Sequence, residues 1–173
     1  MAKKLFFTLS IIAFFASCGT RNNNANTFDE GVVISGIRWA TRNVDAPGTF
    51  AESPESAGGF FTFEDAKNAC PRGWRLPTYE ELRALNNAGS EWTIQNDVNG
   101  RIFGIAPNQI FLPASGWRCG FDDSFSDVNT DGCYWGSTQH DIVNFIHLWF
   151  GNGFVDVLGS LYRHGLSVRC VAK

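Results

Sequence analysis

The sequence lacks the basic surplus that nucleic-acid binding requires. It carries 14 lysine and arginine residues against 17 aspartate and glutamate residues, a formal net charge of −3 over 173 residues. A protein that follows a phosphate backbone needs a basic face, so we predict no nucleic-acid partner. The length suits one domain, and the 18 glycines and 14% aromatic residues favour a loop-rich β or α+β domain.

The N-terminal apolar run, from Leu5 to Ser17, is too short to span a bilayer comfortably. It follows two lysines and ends in small residues before Cys18, which is typical of a secretory signal. Those small residues resemble a bacterial lipobox, which implies lipidation of Cys18 after cleavage; an ordinary signal peptide cleaved nearby is the alternative. We predict a signal peptide over 1–17, a polar tether over 18–29 and a folded domain over 30–173.

The sequence has no Cys-x-x-Cys pair, and its histidines do not pair with its cysteines, which argues against a zinc site. Once Cys18 is set aside, four cysteines remain: Cys70, Cys119, Cys133 and Cys170. An even number of cysteines in an exported chain predicts disulfides, here with three possible pairings.

The order of local patterns predicts an α+β domain. A strand pair turns at Gly36, and a first helix over "TFEDAKNAC" is capped by Thr62 with Asp65 three residues later. Thr78 and Glu81 have the spacing of a capping box, which predicts the start of a second helix. From Asn99 onward, short apolar runs alternate with turn residues, which indicates antiparallel strands. We therefore expect one domain that mixes helices and sheet.

Five segments together resemble a known family, and they follow the same order over roughly 32–173. They are "GIRWATRNV", "ACPRGWRLPTYEEL", "FLPASGWR", "GCYWGST" and "GLSVRCV". The sequence is similar to the Fibrobacter succinogenes major paralogous domain family, which occurs in exported proteins of Bacteroidetes-like bacteria. The resemblance implies a C-type-lectin-like fold related to the formylglycine-generating enzymes, with two helices packed on short antiparallel sheets and many loops.

The resemblance also implies one disulfide. In such folds a cysteine late in the first helix pairs with one on the last strand, and these positions match Cys70 and Cys170. A second bridge between Cys119 and Cys133 would then close the loop from 119 to 133. That pairing follows from counting the remaining cysteines and is not typical of the family.

The acidic segment before Gly132 contains Asp127, Asn129 and Asp131, which alternate as oxygen ligands do at the start of a calcium loop. Thr138 stands where such a loop places a bidentate glutamate. A polar turn held by side-chain hydrogen bonds is the alternative. We predict no cofactor, with calcium as the weaker hypothesis, and no other metal.

We predict that the chain is not an enzyme. Its three histidines all lie between residues 140 and 166, and no Ser-His-Asp or Cys-His order is evident. The reactive cysteine pair of the formylglycine-generating enzymes has no match, because the resemblance assigns Cys170 to Cys70.

The stretch from 140 to 166 contains no lysine, glutamate, glutamine or methionine. Every residue in it except Trp149 can be encoded by a codon ending in cytosine. This pattern resembles the variable region of proteins targeted by diversity-generating retroelements, which mutate adenines. The alternative is that strands contain few lysines and glutamates in any protein.

We divide this stretch into framework and contact positions. Leu148, Phe150 and Val155, together with Val168 just after the stretch, are expected in the core. The predicted ligand-binding residues are His140, Asp141, Ile142, Asn144, Phe145, His147, Trp149, Phe154, Asp156, Leu158, Ser160, Leu161, Tyr162 and His164.

The sequence thus suggests an exported, lipid-anchored protein of the outer membrane or cell surface, with a binding surface for a protein or glycan over about 140–166. Large aromatic side chains would provide its anchors. The competing hypotheses are a structural surface lipoprotein without a dedicated ligand and a relative of the formylglycine-generating enzymes.

Overall fold

A computed structural model of the chain describes residues 27–173. The signal peptide predicted over 1–17, Cys18 and most of the tether predicted over 18–29 lie outside the described residues. Within the described part, no helix combines the length and apolar character needed to cross a membrane.

Strands dominate the described residues. In chain order the elements are β1 (Val32–Ile34), β2 (Ile37–Trp39), β3 (Val44–Ala46), β4 (Thr49–Phe50), α1 (Phe63–Ala66), β5 (Trp74–Arg75), α2 (Tyr79–Asn87), β6 (Ser90–Gln95), β7 (Val98–Ile105), β8 (Asn108–Pro113), β9 (Trp117–Arg118), β10 (Phe125–Ser126), β11 (Gly132–Gln139), β12 (Asn144–Phe150), β13 (Val155–Leu161) and β14 (Val171–Ala172). Paired strands are antiparallel and form five small sheets, ordered β1-β2-β14-β5, β6-β7-β8, β11-β12-β13, β3-β4 and β9-β10.

The predicted α+β, C-type-lectin-like fold is wrong, because the fold is β-rich. Strands and bridges account for 45% of the described residues and helices for 9%. The first helix stops after one turn: the amides of Asn68 and Ala69 bond three residues back, to Asp65 and Ala66, so the chain tightens before Pro71. The two helices are therefore minor elements among the sheets.

The local start signals of the sequence are confirmed. The Thr62 side chain caps α1, and Thr78 and Glu81 form the reciprocal capping box that begins α2. The strand pair predicted around Gly36 is the β1–β2 hairpin. Its turn residues Ser35 and Gly36 both have positive φ, as the tight hairpin turn between right-twisted strands requires.

Two apolar clusters fill the interior. One packs Phe50, Phe63, Trp135 and Val168 together, and the other packs Trp39 against α2, β7 and the sheet β11–β13. The predicted framework residues Leu148, Phe150 and Val168 are fully buried, while Val155 is partly buried against the second cluster. Ile146 and Leu166 are buried as well, so the framework within 140–166 is larger than predicted.

The disulfide between Cys70 and Cys170 is confirmed, with an S–S distance of 2.07 Å and a Cα–Cα distance of 6.1 Å. The predicted bridge between Cys119 and Cys133 is wrong, because both are free thiols. Cys133 is buried in β11, whereas Cys119 lies in the loop after β9. Counting the cysteines left over after Cys70 and Cys170 therefore did not predict whether they pair.

Candidate functional site

The sheet β11–β13 divides its side chains between two faces, because successive residues of a strand point in opposite directions. Along β12, Ile146, Leu148 and Phe150 are buried in the second apolar cluster. His147 and Trp149 alternate with them and point to the opposite face, where the register aligns them with the neighbouring strands. This second face is only partly covered, so it is where a ligand can reach the sheet.

An open cleft of about 280 Å³ lies on this face. We call it the indole cleft. Its lining residues are Trp117, Asp127, Cys133, His147, Trp149, Ser160, His164 and Leu166. The structure thus brings together four of the residues predicted to bind ligand, which come from β12, from β13 and from the segment after it.

Two tryptophans of the indole cleft donate hydrogen bonds to aspartates. The indole Nε1 of Trp117 donates to Asp127 Oδ2 at 2.8 Å, and that of Trp149 donates to Asp131 Oδ2 at 2.7 Å. These bonds fix the orientation of each indole ring and hold two carboxylates beside the cleft.

The three residues of the calcium hypothesis do not point to an ion by themselves. One carboxylate oxygen each of Asp127 and Asp131 accepts an indole N–H, and the backbone oxygen of Asn129 accepts from the Asn99 amide at 2.9 Å. Asp127 also begins a turn, because its carbonyl accepts the amides of Thr130 and Asp131. Calcium binding at these residues stays a prediction.

His147 offers the indole cleft a hydrogen-bond acceptor. Its Nδ1 lies 3.0 Å from the carbonyl oxygen of Leu158, so Nδ1 carries the proton and donates it. Nε2 is then the unprotonated nitrogen, and no described residue donates a hydrogen bond to it. The side chain is 8% exposed, and this burial lowers the pKa of His147 to about 4. The imidazole is therefore neutral near pH 7.

His164 has the opposite tautomer. Its Nδ1 accepts the amide N–H of Gly120 at 3.2 Å, so the neutral ring carries its proton on Nε2 and can donate it. The ring packs edge-on against Trp117 at 4.7 Å, and partial burial lowers the pKa of His164. The indole cleft thus combines an acceptor at His147 with a donor at His164.

Cys133 lies in the wall of the indole cleft and is a poor nucleophile. Burial raises the pKa of its thiol, and the negative charges of Asp131 and Asp127 raise it further. Because the thiolate is the reactive form, this thiol is inert near neutral pH. Catalysis through Cys133 is therefore unfavourable, although the prediction that the chain is not an enzyme stays a prediction.

Phe154 extends the aromatic wall of the indole cleft. Its ring meets Trp149 edge-on at 4.6 Å, and the side chain is 40% exposed. Gly151 makes this possible, because a Cβ there would lie 2.6 Å from the Phe154 ring. Arg101 holds the same turn: its Nη2 donates to the carbonyls of Gly151 and Asn152 at 3.1 and 2.9 Å.

The other predicted binding residues lie elsewhere. Asp141 and Asn144 shape the β11–β12 hairpin tip, where the Asp141 carboxylate accepts both the backbone and side-chain N–H groups of Asn144. Ile142 at this tip is 92% exposed, the highest value among the exposed large hydrophobic residues of the described part. His140 and Leu158 line a second groove of about 330 Å³ beside α2. These positions are separate from the indole cleft.

The remaining members of the predicted set have mixed surroundings. Phe145 stacks on Phe63 with ring centroids 3.5 Å apart, and Tyr162 packs against the same apolar cluster, so both contribute to the core. Asp156 is exposed, and its charge acts on His147. Leu161 is partly exposed at the end of β13.

Sequence reasoning missed Trp117, Cys133 and Leu166 as lining residues. Trp117 belongs to β9, 23 residues before the stretch on which the prediction rested, and no local pattern places it across from His164. The tertiary pairing of Arg118 with Gly165 and the bond from the Gly120 amide to His164 bring these segments together.

Comparison with known proteins adds no family assignment, since no family model, no curated protein and no solved structure matches the chain.

Proposed function

We propose that the chain is an exported, lipid-anchored binding protein and that the indole cleft, with its aromatic rim, is the contact surface for a protein or glycan. The observation that carries this proposal is the convergence of four predicted contact residues, His147, Trp149, Ser160 and His164, on one open cleft. Concave sites with aromatic walls and a few directed polar groups are the usual form of ligand sites.

The rim of the indole cleft supports the same proposal. Phe121 is 70% exposed and lies 6.2 Å from His164, and Phe154 stands on the Trp149 side. Large aromatic side chains gain contact area at a small entropic cost when they bind a partner. Exposed rings next to a cleft are therefore better explained by a partner than by folding alone.

Export and anchoring rest on two features. The disulfide between Cys70 and Cys170 fits an oxidising compartment, and the segment before Cys18 has the pattern of a secretory signal. Acyl chains on Cys18 would hold the protein to a membrane, and its location would be the outer membrane or cell surface.

The stretch from 140 to 166 also supports a diversified surface. Its buried residues, such as Leu148 and Phe150, would keep the frame constant, while exposed ones, such as Ile142 and Leu158, could vary without loss of the fold. Reading the nucleotide sequence would test this. A near-copy of the 3′ coding end that differs only at adenines, next to a reverse transcriptase gene, supports diversification; a fixed surface has neither.

Binding itself is tested by screening the purified full chain in detergent against immobilised glycans and peptides. We expect ligands whose capture falls at least tenfold in Trp149→Ala, because this change removes one aromatic wall. The matched control is Ile94→Ala, which removes an apolar side chain that is 65% exposed in β6. A structural protein without a dedicated ligand would give no capture that depends on Trp149.

A further inference from the structure

The indole cleft has carboxylates that no lysine or arginine of the described residues pairs with. Among the described residues, the ion pairs join Arg42 to Asp29, Lys67 to Glu64, Arg75 to Glu81 and Arg118 to Asp123. Asp127, which lines the cleft, and Asp131, which is bonded to Trp149 beside it, take part in none of them, and no described lysine or arginine lines the cleft. The cleft therefore favours a ligand that brings positive charge.

The nearest basic side chains are occupied elsewhere. Arg118 follows Trp117 in the chain, but its Nη1 donates to Asp123 at 2.5 Å. Arg163 precedes His164, and its guanidinium lies over the Tyr162 ring while Nε donates to the Tyr162 hydroxyl at 2.8 Å. Neither guanidinium is held against the Asp127 or Asp131 carboxylate.

The walls of the indole cleft suit a cation as well. The π face of an indole is its electron-rich side and attracts ammonium or guanidinium groups within about 6 Å. Trp117 and Trp149 are oriented by their own aspartates, so two such rings stand beside two carboxylates. Aromatic rings together with carboxylates favour a cationic ligand, whereas a neutral apolar ligand gains nothing from the carboxylates.

His147 adds a preference for N–H donors. It is more than nine-tenths buried, its Nδ1 is used by the Leu158 carbonyl, and Nε2 has no donor among the described residues. A ligand that fills the cleft therefore satisfies His147 best with an N–H group.

We propose that the indole cleft binds an organic cation bearing N–H donors, namely a primary ammonium or a guanidinium group, between Trp117 and Trp149 with Nε2 of His147 as an acceptor. This inference rests on the proposed binding function. The cleft volume of about 280 Å³ lies below the roughly 300–1,000 Å³ typical of sites for drug-sized molecules, so it fits the end of a side chain. The group could belong to lysine or arginine in a protein ligand or to an amine on a glycan.

Titration of the full chain in detergent, followed by the indole N–H resonances in ¹H–¹⁵N spectra, tests the proposal. The probes are Nα-acetyl-lysine amide, Nα-acetyl-arginine amide, glucosamine, tetramethylammonium and the uncharged Nα-acetyl-norleucine amide. We expect the two indoles of the cleft to shift with the lysine or arginine probe, or with glucosamine, at concentrations at least tenfold lower than with norleucine. Tighter binding of the lysine or arginine probe points to a protein ligand, and tighter binding of glucosamine points to a glycan.

Two variants locate the effect. Asp127→Asn with Asp131→Asn keeps an acceptor oxygen for each indole but removes both charges, so affinity for the cations should fall at least tenfold. Asp122→Asn is the matched control, because Asp122 is exposed in the preceding β9–β10 loop and lies outside the cleft lining. His147→Phe should remove the preference for the N–H cations over tetramethylammonium.

Wild-type protein provides a test that does not depend on folding of the variants. Raising NaCl from about 50 to 500 mM should weaken binding of the lysine probe severalfold by screening and leave norleucine unaffected. Equal affinity for the lysine and norleucine probes would overturn the cation proposal while leaving a binding function intact. Tetramethylammonium binding as well as the lysine probe would overturn the role of His147. Failure of every probe, together with immobilised ligands captured equally by wild type and Trp149→Ala, would reject the cleft as a binding site.

Discussion

The indole Nε1 of Trp149 donates to Asp131 Oδ2 across an O···N distance of 2.7 Å, which ties the middle of the β11–β13 sheet to the turn that precedes it. Asp131→Ala should release the indole and cost about 1.5–3 kcal/mol of stability, the usual range for a hydrogen bond to a charged group. The Trp149 indole N–H resonance should move upfield. Asp131→Asn keeps an acceptor oxygen, so it should retain most of the stability and most of the resonance position. An unchanged Trp149 resonance in the alanine variant would contradict the hydrogen bond.

Phe154 and Tyr162 should separate binding from stability. Phe154→Ala removes an exposed ring from the rim of the indole cleft, so ligand capture should fall with little change in the melting temperature. Tyr162→Ala removes a side chain that packs against the apolar cluster around Phe63, so it should lower stability by about 2–4 kcal/mol. Thermal unfolding beside a capture assay distinguishes the two. An equal loss of stability in both variants would place Phe154 in the core.

His147 should make the protein less stable in mild acid. Its pKa is lowered to about 4 in the folded state, against an ordinary value of 6.5, because burial disfavours the charged ring. As the pH falls from about 6.5 to 4, the unfolded chain takes up the proton first, so the free energy of unfolding should fall by roughly 3 kcal/mol. Denaturant titrations at several pH values measure this. His147→Phe should flatten the dependence, and His140→Phe, at an exposed position, should not.

Loss of the disulfide should destabilise the fold strongly. Cys70 and Cys170 are 100 residues apart, and closing a loop of that length restricts the unfolded chain by about 4.7 kcal/mol. Cys70→Ser should therefore lower the free energy of unfolding by a comparable amount, which a fall in the urea midpoint would show. Cys119→Ser removes a free thiol and serves as the control. A midpoint that Cys70→Ser leaves unchanged would show that the bridge does not restrain the chain in solution.

Cys18 should determine whether the protein stays with the membrane. Cys18→Ala removes the only residue that can carry the predicted lipid, so the protein should move from the membrane fraction to the soluble exported fraction. Cell fractionation with an antibody against the folded domain measures this, and mass spectrometry of the wild type should show the added acyl mass. A wild-type protein found entirely in the soluble exported fraction would exclude the anchor.

The fold could be predicted where the determinants are local. The caps at Thr62 and Thr78 and the β1–β2 turn depend on residues within four positions of each other, and all three are confirmed. The helix content was overestimated because the apolar spacing of "TFEDAKNAC" does not reveal that the chain tightens after one turn. The predicted bridge from Cys119 to Cys133 was wrong for a similar reason, since the number of cysteines says nothing about the distance between them.

The candidate site could be predicted only in part. His147 and Trp149 alternate with buried residues along β12, so a strand pattern was enough to place them on one face. The orientation of Trp117 and the tautomers of His147 and His164 depend on tertiary contacts with Asp127, Leu158 and Gly120. These contacts join residues 10, 11 and 44 positions apart, beyond the reach of a helix or strand period, so no local sequence pattern predicts them.

The bridge between Cys70 and Cys170 has a consequence for attack by proteases. It closes residues 70–170 into a covalent ring that includes the whole β11–β13 sheet and its exposed tip at Ile142. A cut at that tip opens the ring but leaves both pieces joined through the sulfurs, so no fragment is lost. A nicked molecule therefore keeps its two halves covalently joined until a reductant separates them.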